Sequence, residues 1–167
     1  RKEGFVSFIG MHPIPVVHGM TIGEYAQMIN GEKWLKNGMK CELNVIPIQS
    51  YTHQTPYVLP IKPSPNLPNA SSINLYPSLC FFEGTNISIG RGTEKQFQVV
   101  GSPFYSIESS TFQFTPQPNE GAKSPKHNAK ICYGYDLSQH QQLHALNLEW
   151  LIKFYNANKK NSPNEVF

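Results

Sequence analysis

The sequence predicts an α+β fold with a mixed, mainly antiparallel sheet, two or three helices and long proline-rich loops. Short runs alternate polar and apolar residues, which is the period of a half-buried strand, and other runs have helical spacing. The 14 prolines favour extended connections, because proline interrupts helices and restricts the residue before it. A length of 167 residues suits one domain, residues 1–167, around a single core.

Helices are predicted in three parts of the chain. Thr21 and Glu24 have the spacing of a capping box, and apolar residues follow at helical intervals as far as the Asn-Gly pair at 30–31. A further helical turn is expected at residues 32–36. A short helix is expected over residues 69–76, and an amphipathic helix over residues 143–156.

Six short segments are predicted to be strands, because they are rich in β-forming residues or alternate polar and apolar side chains. They are residues 5–9, 40–46, 79–82, 97–100, 111–114 and 130–135. Between the second and the third of these, residues 47–68 carry six prolines and little periodicity. We predict a long ordered loop there, of a kind that is often functional or mobile.

Composition excludes several classes of protein. The formal net charge of +3 comes from scattered lysines without a basic run, so no nucleic-acid partner is expected. A membrane helix needs about 18 apolar residues in a row, and no stretch approaches that length. The three cysteines, Cys41, Cys80 and Cys132, lie in apolar runs without the close pairs that zinc sites use, which predicts buried thiols.

Charged and polar side chains are concentrated in residues 82–93, at the end of the predicted strand at 79–82. These twelve positions hold Glu83, Arg91, one carboxamide, three hydroxyl side chains and three glycines. Turn residues of this kind also make ordinary surface loops, and the glycine spacing matches neither a phosphate loop nor a dinucleotide fingerprint. Composition alone leaves both interpretations open.

Four segments taken together resemble a known family. They are residues 13–24, 63–66, 83–86 and 90–93, and their order and spacing are similar to those of the C-terminal half of the NamZ-type exo-β-N-acetylmuramidases, formerly a domain of unknown function. Such proteins are about twice as long and carry a Rossmann-like N-terminal domain that forms one wall of the substrate cleft. The resemblance implies that this chain is the C-terminal cleft domain, that the N-terminal domain is absent from it, and that this domain is its missing partner.

The resemblance also implies an activity, the removal of terminal N-acetylmuramic acid from the non-reducing end of peptidoglycan fragments, with a role in cell-wall recycling. The expected partner is a peptidoglycan-derived sugar or muropeptide, and the expected location is outside the cytoplasm of a bacterium. The resemblance also predicts that the fragment alone is inactive. The alternatives are a non-catalytic carbohydrate-binding module of the cell wall and an interaction domain without a sugar ligand.

Glu83 is the candidate catalytic residue, because glycoside hydrolysis needs carboxyl groups beside the scissile bond. Partial burial at the end of an apolar strand would raise the pKa of Glu83 toward that of a useful acid. Arg91 suits the lactyl carboxylate of muramic acid, since a guanidinium offers two parallel donors. Its structural alternative is an ion pair with Glu83, and the two roles are compatible.

Four further residues are candidate substrate-binding residues: Asn86, His18, Asn66 and Glu24. His18 and Asn66 lie in turns bounded by proline or glycine, where functional side chains are often displayed. Glu24 is already explained as a capping residue. His140 and His144 have the spacing of a metal pair on a helix, but no neighbouring ligand completes a set, so we expect neither a metal nor another cofactor.

Overall fold

A computed structural model describes residues 4, 7, 10–104, 112–162, 164, 166 and 167. The contacts divide the chain into two compact units, Arg1–Tyr57 and Val58–Phe167. This division differs from the single unit that the length suggested. Its physical basis is burial, because the buried core residues all belong to the second unit. The predicted strand at residues 5–9 lies, apart from Ser7, outside the described residues.

The first unit is built around one helix, α1 (Ile22–Gly31). The predicted capping box is confirmed: Thr21 Oγ1 accepts a hydrogen bond from the Glu24 amide at 3.2 Å, and the Glu24 carboxylate accepts one from the Thr21 amide at 2.7 Å. A 3-10 turn (Lys36–Gly38) follows the helix, slightly beyond the helical turn that was predicted. Local sequence therefore accounts for the start of α1.

The prediction of a strand at residues 40–46 is wrong, since this segment contains no helix or strand. The Asn30 side chain takes the place of a partner strand at Cys41. Asn30 Nδ2 donates to Cys41 O at 2.9 Å, and the Cys41 amide donates to Asn30 Oδ1 at 2.9 Å. Alternation of polar and apolar residues does not make a strand when no neighbouring strand is present to form the backbone hydrogen bonds of a sheet. Cys41 is also exposed, so its predicted burial is wrong as well.

The second unit contains two helices and a three-stranded antiparallel sheet. The helices are α2 (Ala70–Leu79) and α3 (Glu149–Asn161). The strands are β1 (Val99–Ser102), β2 (Phe112–Phe114) and β3 (Cys132–Asp136), with β3 in the centre of the order β1-β3-β2. With three helices in the described chain, the α+β class is confirmed. The predicted strands at 97–100, 111–114 and 130–135 are confirmed with shifts of one or two residues.

Two predicted elements of the second unit need correction. Residues 79–82 form no strand: α2 continues to Leu79, and a 3-10 helix (Cys80–Gly84) follows it directly. The run of apolar residues has the composition of a buried strand, but it packs as helix against the core. The amphipathic helix predicted from residue 143 begins at Glu149, so the segment before it is irregular.

The core of the second unit lies between the sheet, α2 and α3. Its buried members include Leu79, Phe82, Ile87, Val100 and Phe154. Phe82 and Phe154 meet edge to face with ring centroids 5.6 Å apart. The long segment at residues 47–68 contains only turns and an isolated bridge between Ser64 and Leu67, as the prediction of a loop required. In the part of the chain that is described, no helix is long and apolar enough to span a bilayer.

Candidate functional site

Glu83 and Arg91 come together at the surface of the second unit. Arg91 Nε donates to Glu83 Oε1 at 2.9 Å, and a terminal nitrogen of the same guanidinium donates to the same oxygen. The two side chains are 38% and 41% exposed for Arg91 and Glu83. The ion pair expected as one role of Arg91 is therefore confirmed. The expected partial burial of Glu83 is wrong, because the 3-10 helix buries Phe82 and leaves the next residue facing solvent.

The segment after Glu83 is attached to the open edge of the sheet. The Ser88 amide donates to Gly101 O at 2.8 Å, and the Gly101 amide donates to Ser88 O at 2.9 Å. The Phe97 amide donates to Ile89 O at 2.8 Å. The Ser88–Gly101 bonds attach the chain between Glu83 and Arg91 to β1, and the Ile89–Phe97 bond attaches it to the residues just before that strand.

Arg91 lies between two glycines that the local backbone requires. Gly90 and Gly92 have φ of 79° and 82°, a region that L side chains rarely adopt. A Cβ at Gly92 would lie 2.6 Å from the carbonyl oxygen of Gln117. The space beside these glycines is thus filled by protein rather than left for a ligand. The Arg91 guanidinium also lies 5.3 Å from the centroid of the Phe97 ring, a cation–π contact that restrains it further.

Lys126 completes the site, although it lies outside the candidate residues that the sequence predicts. Its Nζ donates to the carbonyl oxygens of four residues of the Glu83 segment: Phe82 at 3.4 Å, Glu83 at 3.3 Å, Ile87 at 3.1 Å and Thr85. Burial lowers the pKa of Lys126, and the negative charge of Glu83 acts against that shift. No local signal marks this residue, since its contacts lie about 40 residues away in the sequence.

Glu83, Arg91 and Lys126 line one small open cavity of about 120 Å³. Its remaining walls are Ile87, Ser88 and Ile89. Among the described residues, Arg91 Nη1 and Glu83 Oε2 have no hydrogen-bond partner, so one donor and one acceptor remain free beside the cavity. The arrangement provides a guanidinium, a carboxylate and an apolar wall within a few ångströms.

Asn86 belongs to the same loop, but its side chain is directed to the C-terminal part of the chain. Asn86 Nδ2 donates to Asn158 Oδ1 at 3.3 Å and to Val166 O at 2.9 Å. Its carbonyl oxygen lies 2.6 Å from His127 Nε2. Burial lowers the pKa of His127, while the hydrogen bond to Asn86 opposes this effect. Asn86 therefore connects the loop to α3, and its role in substrate binding stays a prediction.

Asn66 joins two loops of the second unit. It is 8% exposed, and its Nδ2 donates to Gly121 O at 2.7 Å. Its Oδ1 is buried without a partner among the described residues. The described contacts do not bring it to Glu83 or Arg91, so the geometry indicates a structural role. Its predicted role in substrate binding remains untested.

His18 and Glu24 lie in the first unit. His18 Nδ1 accepts from the Met20 amide at 3.1 Å, and its ring stacks on Tyr25 with centroids 5.7 Å apart. Glu24 Oε2 is 2.9 Å from His53 Nε2, and both side chains are about half exposed. The hydrogen bond from the Thr21 amide is the main cause of the lowered pKa of Glu24, and His53 lowers it further. Glu24 is thus a carboxylate that stays ionised beside a histidine.

The pair of histidines at 140 and 144 does not lie on a helix, since α3 begins only at Glu149. His140 Nδ1 is 2.7 Å from Gln141 O, and its ring packs edge-on against Trp150 at 5.1 Å. Among the described residues, no three histidine, cysteine or acidic side chains are grouped as metal ligands.

Two family models match the chain in series. The N-terminal model of exo-β-N-acetylmuramidase NamZ matches residues 1–71, and the C-terminal model matches residues 74–166. The chain belongs to the NamZ family of exo-β-N-acetylmuramidases. The match over residues 1–71 differs from the expectation that the whole chain corresponds to the C-terminal half of that family. The second compact unit begins at Val58, so residues 58–71 of that unit belong to the N-terminal match.

Individual relatives agree with this family. The peptidoglycan β-N-acetylmuramidase NamZ of Bacillus subtilis (strain 168) is 36% identical over 151 residues, covering 80% of this chain and 34% of the relative. A crystal structure of a DUF1343 family protein from Bacteroides fragilis NCTC 9343 has 49% identity and a TM-score of 0.86, covering 91% of this chain and 44% of that one. A second such structure has 22% identity and a TM-score of 0.73, covering 98% and 46%, and it supports the fold alone. The chain thus spans less than half the length of each of these proteins.

Proposed function

We propose that this chain forms part of a glycoside hydrolase that removes terminal N-acetylmuramic acid from the non-reducing end of peptidoglycan fragments. The observation that carries the proposal is the convergence of Glu83 and Arg91 on one cavity in a chain of the NamZ family. The proposed place of action is outside the cytoplasm, where peptidoglycan lies. The proposed partner in the cleft is the remainder of the family's N-terminal domain.

In this proposal Arg91 binds the lactyl carboxylate of the sugar. Its Nε and one terminal nitrogen are used by Glu83, which leaves Nη1 for the ligand. The contacts with Glu83 and Phe97 hold the guanidinium in place, so little side-chain entropy is lost when a carboxylate binds.

Glu83 accepts two hydrogen bonds from a guanidinium, and the carboxylate is the form that accepts such bonds. A general acid must instead carry a proton. The geometry therefore supports Glu83 as a base or as an acceptor for a sugar hydroxyl, rather than as the acid that the sequence suggested.

Glu24 stays a proposed substrate-binding residue of the first unit. Its carboxylate accepts a hydrogen bond from the Thr21 amide and lies 2.9 Å from His53 Nε2. The Thr21 amide and His53 both lower the pKa of Glu24, so its carboxylate can accept a hydrogen bond from a sugar hydroxyl.

The test measures the release of 4-nitrophenol from 4-nitrophenyl β-N-acetylmuraminide. The enzyme is a full-length protein of the family that contains this chain. We expect Glu83→Gln to lower kcat/KM by about 100-fold or more. Glu94→Gln is the matched control, because Glu94 is an exposed carboxylate three residues beyond Arg91, and turnover should be unchanged.

Absence of release by the wild-type protein would contradict the enzymatic proposal. Binding of muropeptides without release would instead support the carbohydrate-binding module. If Glu83→Gln retains wild-type kcat and KM, Glu83 is not a catalytic residue. If the folded variant has a raised KM and an unchanged kcat, Glu83 binds the sugar instead.

A further inference from the structure

The ammonium group of Lys126 has an unusual environment for a lysine. Its Nζ is held by the carbonyl oxygens of Phe82, Glu83, Thr85 and Ile87, all from one short segment. An ammonium group has three protons, so these four acceptors satisfy it completely. Carbonyl oxygens are neutral, however, and none of these contacts cancels the positive charge. Lys126 is therefore solvated by the backbone but not neutralised.

The charge of the cavity follows from this arrangement. Its charged lining residues are Glu83, Arg91 and Lys126. Glu83 pairs directly with Arg91 and also acts electrostatically on Lys126, so one carboxylate faces two cations and the three side chains together carry one net positive charge. The apolar walls, Ile87 and Ile89, are buried and exclude water on that side. A charge beside such walls acts more strongly on a ligand than the same charge in open water.

The size of the cavity restricts what it can hold. Pockets that enclose whole small molecules measure about 300 to 1,000 Å³. At about 120 Å³ this cavity holds a side group of a ligand rather than an entire amino sugar. A carboxylate on a short branch matches both the size and the net positive charge.

We propose that Lys126 makes this cavity selective for an anionic side group, which in muramic acid is the lactyl carboxylate. The inference rests on the function proposed above. Lys126 does not contact the ligand, because its protons are used by the backbone. It is a positioning residue that shapes the Glu83 segment and supplies the charge that the Glu83–Arg91 pair lacks.

The test compares two sugars that differ in the lactyl carboxylate, N-acetylmuramic acid and N-acetylglucosamine. Their dissociation constants are measured by calorimetry on the protein of full family length. We expect the wild type to bind N-acetylmuramic acid more tightly than N-acetylglucosamine. Lys126→Met should raise the dissociation constant for N-acetylmuramic acid by about tenfold and leave that for N-acetylglucosamine unchanged. The preference of the wild type should also fall as salt concentration rises.

Lys123→Met is the matched control, since it removes the same charge from an exposed position in the same loop. It should leave the preference for N-acetylmuramic acid intact. If Lys126→Met does not fold, as judged by circular dichroism, Lys126→Gln replaces it, because its amide still donates two hydrogen bonds to the carbonyls.

The possible outcomes separate this inference from the function on which it rests. A wild type that binds neither sugar overturns both. A wild type that prefers N-acetylmuramic acid, together with a folded Lys126 variant of unchanged preference, overturns only the inference. If that variant loses affinity for both sugars equally, Lys126 has a purely structural role and the inference is overturned too.

Discussion

The two compact units are stabilised in different ways. In the described part of Arg1–Tyr57 no residue is buried, and Ile22 on α1 is 89% exposed. Val58–Phe167 contains all the buried residues of the described chain, including Phe82 and Phe154, which are fully enclosed. The second unit therefore has a hydrophobic core, whereas the first depends on a helix cap, side-chain hydrogen bonds and ring stacking. Each of these interactions contributes about 1 kcal/mol, less than a buried aromatic side chain.

The same contrast separates the two candidate carboxylates. Glu83 follows a fully buried phenylalanine and is held by a guanidinium that itself packs on Phe97. Glu24 is held by the amide of its own helix cap and by a half-exposed histidine. Glu83 thus belongs to a rigid part of the molecule, while Glu24 has only local support. Rigid placement matters for catalysis, because small errors in position reduce the rate strongly.

The largest expected effect comes from a core substitution. Phe82→Ala removes a fully buried ring from the second unit and should lower the free energy of unfolding by about 3 to 5 kcal/mol. Ile22→Ala, on the exposed face of α1, should change it by less than about 0.5 kcal/mol. Urea denaturation of both variants measures the difference. Equal destabilisation by the two substitutions would contradict the contrast between the units.

A smaller effect is expected from glycine substitutions. Gly92→Ala places a Cβ 2.6 Å from Gln117 O at a positive φ and should cost about 2 to 4 kcal/mol. Gly31→Ala is the matched change in the first unit, where the new Cβ meets nothing within 4 Å, and it should be neutral or slightly stabilising. Thermal denaturation of both variants tests this. A Gly92→Ala protein as stable as the wild type would refute the close packing around Arg91.

The smallest expected effect is a dependence on pH. Burial lowers the pKa of His127 in the folded state, and the positive charges of Lys126 and Lys130 act in the same direction. The unfolded chain therefore binds a proton at higher pH than the folded one. The contribution of neutral His127 to the free energy of unfolding should be fully present above the unfolded pKa of about 6.5. It should decrease as the pH falls toward the lower folded pKa.

The measurement is Tm at pH 7.5 and at pH 5 for the wild type and His127→Asn. Asparagine is chosen because residue 127 has a positive φ of 59°, which asparagine tolerates. The variant should lose less stability than the wild type on acidification. A larger loss in the variant would show that His127 does not cause the dependence.

Features that depend on neighbours in the chain were predictable from the sequence. The capping box of Thr21 and Glu24 involves residues three apart, and the structure confirms it. The pairing of Glu83 with Arg91, eight residues apart in one loop, was also recognised as one of two roles. Both cases rest on short-range geometry, which residue identity and spacing are sufficient to specify.

Features that depend on distant partners were not predictable in the same way. Residues 40–46 alternate like a strand, yet they pair with the side chain of Asn30 at Cys41 and with no strand. Residues 79–82 are apolar enough for a buried strand, but they continue α2 and a 3-10 helix. A strand requires a partner strand for its backbone hydrogen bonds, and a periodic pattern does not specify whether one is available.

The sequence by itself determined the α+β class, the capped start of α1, the family and the polar loop that carries Glu83 and Arg91. Only the tertiary structure decided that Glu83 is exposed and paired, and that Lys126 adds a second positive charge to the cavity. The physical reason is the range of the interactions. Helix caps and loop composition act over a few residues, whereas the lysine that completes this cavity reaches carbonyl groups about 40 positions away in the sequence.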